Sequence, residues 1–211
     1  NIYSSMNELN NHSKEHWNTI YSTKSPSEVS WTQETPERSL YFIHNTNLSK
    51  ATAIIDIGGG DSCLVDYLLK ENYTDITVLD ISEEAINRAK MRLGKNASKI
   101  KWIVCDINTF SPTRTYDIWH DRAAFHFLTQ PKDIERYITL INSYVSSFFI
   151  IGTFSKNGPL KCSGLDIKQY TGQDLEELVI KNFNLVEYMN EDHITPFETV
   201  QNFTFAFFCR N

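Results

Sequence analysis

A short apolar run, Ala53-Ile54-Ile55-Asp56, passes straight into Ile57-Gly58-Gly59-Gly60, and the next apolar run, Ile76-Thr77-Val78-Leu79, stops at Asp80. Continuous apolarity over so few residues reads as a strand buried on both faces, and adjacent glycines let backbone turn sharply and approach a ligand closely. Leu64, Val65, Leu68 and Leu69 then recur at helical spacing. Strand, glycine turn and helix form the opening unit of an open α/β sheet, whose crevice lies beyond the carboxyl ends of its strands.

The unit repeats. Ala85, Ile86, Ala89 and Leu93 share a helical face closed by Gly94, and Glu83 and Glu84 suit the positive end of that helix. Strands are predicted over 100–105, 116–120 and 148–154, with a helix over 134–145 before the last of them. Such alternation implies a doubly wound, mostly parallel sheet. Thr171-Gly172-Gln173-Asp174 reads as a capping box for the helix carrying Leu175, Leu178 and Val179. The β-like runs 183–189 and 203–209 leave no room for a crossover helix, so they predict a C-terminal antiparallel hairpin at a sheet edge.

Ahead of this pattern, the polar segment from Met6 to Lys50 carries Trp17, Tyr21, Trp31, Tyr41 and Phe42, anchors that a disordered tail lacks. We read residues 1–50 as an aromatic cap or lid of the same domain and 51–211 as a Rossmann-like domain. Residues 1–5 read as an added stretch before a native start at Met6.

An acidic residue ending the second strand can accept hydrogen bonds from both hydroxyls of a ribose, so Asp80 after a glycine turn suits any adenosine-containing cofactor. The dinucleotide fingerprint needs a small residue at the position of Cys63 and fails there. Asp56 also precedes the first glycine, where a carboxylate repels a pyrophosphate and favours an ammonium group.

Asp56-Ile57-Gly58-Gly59-Gly60-Asp61-Ser62 resembles the first motif of class I S-adenosylmethionine-dependent methyltransferases, acidic-x-G-x-G-x-G, with Ser62 in place of the last glycine. The likeness extends from Trp17 to Cys209 and includes Asp106 closing the third strand and the terminal hairpin. It implies a class I methyltransferase fold with S-adenosylmethionine as cofactor. Asp80 would bind the ribose, with Ile81 beside it. Asp106 would bind the adenine amino group, with Ile107 nearby. The Gly58, Gly59 and Gly60 backbone would take the methionine end, and Asp56 would orient its amino group. A narrower likeness is to the subgroup that includes lysine methyltransferases of elongation factors, through Trp17 to Tyr21, Gly60-Asp61-Ser62 and Asp121-Arg122-Ala123.

The densest titratable cluster, Trp119-His120-Asp121-Arg122-Ala123-Ala124-Phe125-His126-Phe127, follows the fourth strand and so falls at the reacting end of the crevice. Methyl transfer needs an aligned nucleophile and, where that nucleophile carries a proton, a base. His120, Asp121 and His126 are each candidates, with a hydrogen-bonded core histidine as the alternative for His126. Asp121 and Arg122 read either as a local ion pair or as holders of a substrate amine and a substrate acid. Trp17, Tyr21 and Trp31 either close over the cofactor, with Trp31 in contact, or pack a capping helix.

Composition bounds the partners. A net charge of -6 lacks the electrostatic footprint of a nucleic-acid binder, and no proline follows the fourth strand as in adenine-N6 enzymes of this fold. Four scattered cysteines and no run of membrane-spanning length read as a cytoplasmic chain with neither disulfides nor membrane contact. No His, Cys or carboxylate set has metal-ligand spacing. The expected function is methyl transfer to a small molecule by a monomer or homodimer, with a protein lysine as the alternative acceptor.

Overall fold

The computed structural model describes residues 2–211, with side chains from His12 onward, so the reading of residues 1–5 falls on side chains outside the described residues. A seven-stranded sheet organises the chain. Its strands are β1 (Ala53–Ile57), β2 (Asp75–Asp80), β3 (Ile100–Val104), β4 (Tyr116–Arg122), β5 (Val145–Phe154), β8 (Phe183–Ile194) and β9 (Val200–Arg210). The order is β3-β2-β1-β4-β5-β9-β8. The first five are parallel, whereas β9 runs antiparallel between β5 and β8. Strand order reverses between β1 and β4, and a crevice opens beyond their carboxyl ends at such a switch point.

Both sheet faces are covered, as the isoleucines on both faces of β1 require. Ile55, Trp119, Phe149 and Phe208 lie in a core beneath α5 (Pro131–Tyr144) and α6 (Gly172–Val179). Ile54, Ile118 and Ile150 pack on the opposite face with Leu64 and Leu68 of α3 (Leu64–Lys70). α4 (Glu83–Leu93) begins at Ser82, whose Oγ accepts from Ala85 N, and ends at Gly94 with φ +54°. Thr171 and Asp174 form the expected capping box on α6.

The first 50 residues divide into two parts with different roles. α1 (Ile2–Thr23) and the following loop reach the mouth of the crevice, where Asn18 meets Ser82 through a 2.9 Å hydrogen bond. α2 (Glu37–Asn45) is instead a layer helix, with Phe42 and Ile43 wholly buried against the sheet. The loop after β5 holds a small hairpin that the sequence did not predict, β6 (Lys161–Cys162) with β7 (Leu165–Asp166). No helix among the described residues is long and apolar enough to cross a membrane.

Candidate functional site

A cavity of about 470 Å³ opens at the switch point, between the carboxyl ends of β1, β2 and β4 and the aromatic residues of α1. Gly58 turns the chain at φ +66°, and a Cβ there would stand 2.7 Å from the Cβ of Ala124. A Cβ on Gly59 would stand 2.2 Å from Asp56 Oδ2. Gly58 backbone therefore lines the cavity where no side chain fits, whereas Gly59 and Gly60 are not among the lining residues.

Asp80 lines the cavity beside the turn. Gly60 N donates to its Oδ2 at 2.9 Å and Ser82 N to its Oδ1 at 2.8 Å. Burial nevertheless raises its pKa to about 6 against those bonds, leaving a carboxylate short of donors. Asp106 follows β3, takes a 2.8 Å bond from Asn108 N, and is also raised by burial. Ile81, Ile107 and Trp31 line the same cavity.

Asp56 lies 3% exposed beneath the turn. Its Oδ1 is 2.7 Å from His120 Nδ1, and its Oδ2 is buried with no partner. His120 Nε2 in turn lies 2.8 Å from Ser39 Oγ. Ser39, His120 and Asp56 thus have the connectivity of a hydrolytic triad. Ser39 is 1% exposed on α2, however, and none of the three lines the cavity, so no substrate reaches the hydroxyl. With both ring nitrogens engaged, His120 ties α2 to β1 and is not placed as a base.

Asp121 is likewise a structural anchor. Its Oδ1 accepts from Ala124 N and Phe125 N at 3.1 Å each, and its Oδ2 accepts from the Tyr137 hydroxyl at 2.6 Å. This fully buried carboxyl, raised by burial to about 6, pins the turn that carries Ala123 at φ +65°. The alternative of a local ion pair with Arg122 is not formed, because both Asp121 oxygens face other donors. His126 is completely buried and stacked on Phe154, and its Nδ1 accepts from Phe154 N at 3.2 Å. Burial, helped by the nearby Arg122 charge, drops its pKa to about 3, so the ring is neutral with its proton on Nε2. It too is displaced from the role of base at neutral pH.

Arg122 alone of the four candidates lines the cavity. Its Nη1 donates to Trp31 O at 2.9 Å and its guanidinium lies 4.9 Å from the centre of the Phe203 ring. Trp17 bridges the wall, with its ring centre 5.6 Å from Trp31 and 5.1 Å from Phe127. Sequence reasoning missed Ser39 and Tyr137, which carry no motif. His193 Nε2 donates to Ser30 O at 2.6 Å, and Cys162 lines the cavity.

A family profile described as a methyltransferase domain matches residues 54–146. Malonyl-[acyl-carrier protein] O-methyltransferase 1 of Ilyobacter polytropus is 24% identical over 173 residues, covering 77% of this chain and 63% of that protein. The chain spans less than two thirds of the length of the curated relatives it matches. Burkholderia thailandensis 1,6-didemethyltoxoflavin-N1-methyltransferase, solved with 1,6-didemethyltoxoflavin and S-adenosylhomocysteine, superposes with a TM-score of 0.70 at 14% identity, over 99% of this chain and 90% of that one. The N-methyltransferase NodS of Bradyrhizobium japonicum, in complex with S-adenosylhomocysteine, gives 0.60 at 17% identity over 84% and 89%. These likenesses do not support the tie to elongation-factor lysine methyltransferases. Sheet order, glycine turn and matched profile together give this chain the class I S-adenosylmethionine-dependent methyltransferase fold.

Proposed function

We propose that this chain is an S-adenosylmethionine-dependent methyltransferase acting on a small molecule. The observation that carries the reading is Asp80. Its carboxylate is fixed by two backbone N–H groups beside a glycine floor and opens into the cavity, as a ribose-binding acceptor must. The partnerless Asp56 Oδ2 under the same turn supports a cofactor with a cationic amino-acid end over one with a pyrophosphate.

In this reading Asp80, with Ile81 beside it, holds the ribose, Asp106 and Ile107 the adenine, and Gly58, Gly59 and Gly60 the amino-acid end near Asp56. Trp17, Tyr21 and Trp31 exclude water above them. The cofactor, when bound, supplies an electrophilic methyl group. The protein's part is to align the acceptor and keep the site dry. A small acceptor is favoured by the enclosure: the cavity falls in the range of roughly 300–1,000 Å³ typical of small-molecule sites and must hold the cofactor as well. The structurally similar 1,6-didemethyltoxoflavin-N1-methyltransferase, solved with 1,6-didemethyltoxoflavin bound, supports the same class.

Titration calorimetry should show S-adenosylhomocysteine binding and no NAD binding; the reverse would overturn the assignment. Tritiated methyl transfer into a fractionated cell extract should label the small-molecule pool. Label confined to protein would return the lysine alternative.

A further inference from the structure

α1 rests on the domain with little apolar surface. Of residues 12–23 only Tyr21 is buried, yet Ser13, Trp17 and Tyr21 line the cavity. Polar ties to α4 help to seat the helix. Ser82 Oγ donates to Asn18 Oδ1 at 2.9 Å, and Arg88 Nη2 donates to Lys24 O at the carboxyl end of α1. The last carbonyls of a helix have no partner within it and carry its negative pole, so a guanidinium there answers both needs. The same guanidinium lies 5.8 Å from the centre of the Tyr21 ring. Its Nη1 stands 3.4 Å from Asp61 Oδ2. Arg88 therefore touches both the cap and the residue that directly follows the glycine turn.

Asp61 belongs to a network that fixes the turn from α4. Arg92 Nη1 donates to Asp61 Oδ1, and its Nη2 donates to Ser62 O and Asp66 Oδ2, each at 2.8 Å. Gly60, just before Asp61, donates its N–H to Asp80 Oδ2 at 2.9 Å, and Asp80 lines the cavity. Arg88, Arg92 and Asp61 do not line it, so Arg88 acts on a ligand only through its neighbours. Without Arg88, the carboxylate of Asp61 and the negative end of α1 both lie against the space it vacates, and they repel. Resting on the methyltransferase reading above, we propose that Arg88 is a positioning residue coupling the cap to the glycine turn. It holds α1 closed over an S-adenosyl cofactor, and a cofactor seated beside the turn in return steadies α1.

Hydrogen exchange followed by mass spectrometry reads α1 separately from the sheet. In wild type, saturating S-adenosylhomocysteine should slow exchange in residues 16–24 by about fivefold or more. With ligand bound, Arg88→Met should speed exchange there about tenfold, the size expected from losing a hydrogen bond to a charged group. β1 and β4 should stay within about twofold of wild type. Stopped-flow release of S-adenosylhomocysteine should quicken about fivefold or more in the same variant. Adding Asp61→Asn to Arg88→Met removes the repelling charge and should bring both rates back toward wild type by about threefold, a recovery that a general loss of stability would not give. The proposal is overturned if the ligand leaves α1 exchange unchanged in wild type, or if Arg88→Met leaves either α1 exchange or ligand release unchanged. It is also overturned if the double variant is no better than the single, or if exchange rises equally in α1 and the sheet. Failure of wild type to bind S-adenosylhomocysteine at all sinks the underlying reading instead. Circular dichroism checks that the variants fold, and the wild-type exchange comparison stands without them.

Discussion

Asp80→Asn should make the cofactor-free protein more stable at neutral pH while abolishing its use of cofactor. In the unfolded chain this carboxyl loses its proton near 3.8, whereas in the fold burial delays that to about 6. Between those values the folded state holds more protons, so stability falls as pH rises through the window and stays at its lower level above it. The ionised form costs about 3 kcal/mol, taking 1.36 kcal/mol for each tenfold change in proton affinity. Asparagine removes that cost but keeps only one acceptor oxygen for the Gly60 and Ser82 N–H groups, a loss of about 1–2 kcal/mol. The net gain near pH 7.5 is about 1–2 kcal/mol, or a Tm rise of about 2–8 °C for a chain of this size. Near pH 4, where wild type is largely relieved of its charge, only the lost bond remains and the variant should melt below wild type. Differential scanning calorimetry at the two pH values, with and without S-adenosylhomocysteine, reads all of this. The ligand-induced Tm rise should be present in wild type and missing in the variant. A variant that is equally destabilised at both pH values, or that keeps the ligand shift, would refute the idea that Asp80 is a strained carboxylate reserved for a ligand.

Gly59→Ala should weaken S-adenosylhomocysteine by about tenfold or more. The added Cβ, 2.2 Å from Asp56 Oδ2, must push either the carboxylate or the turn out of place. Unchanged affinity would show that the turn does not touch the ligand. Tyr137→Phe strips the 2.6 Å bond from Asp121 Oδ2 and the acceptor of Trp119 Nε1, both buried, and should cost about 2–4 kcal/mol in denaturant unfolding. S-adenosylhomocysteine affinity should change by less than about threefold, because Asp121 props the turn from the side away from the cavity.

Much of the fold was legible because it rests on local signals. β1 reads from the apolar run Ala53-Ile54-Ile55, α4 from its acidic first turn and Gly94, and α6 from Thr171 and Asp174. The terminal hairpin follows from chain length alone. Less legible was α2, whose Leu40, Phe42 and Ile43 sit in a polar stretch and gain their meaning only from the sheet face they cover. The β6–β7 hairpin has two residues per strand, too few for any periodicity. The strand-end carboxylates and the glycine turn were readable because they announce themselves by position. Asp80, Asp106 and Gly58 line one cavity.

The acceptor side misled because strand neighbours, not sequence neighbours, decide which titratable groups are free. Asp56 and His120 lie 64 residues apart, yet they are register partners on adjacent parallel strands, so the histidine meets the carboxylate before any substrate could. Successive residues of a strand face opposite ways, which puts Asp121 in the layer beneath α5 and returns Arg122 to the face of His120. The last partner that β1 offers β4 is Ile57 for Asp121, so Arg122 is the first residue on that face to clear the neighbouring strand. Its partner on β5 is Gly152, which puts no side chain in its way. An arginine that outruns its strand partners reaches the wall of the crevice, where its Nη1 donates to Trp31 O, whereas the histidine two residues earlier is absorbed into the sheet. The four candidates thus yield three structural groups and one residue that reaches the cavity wall, and the register of β1 against β4 is what tells His120, Asp121 and Arg122 apart.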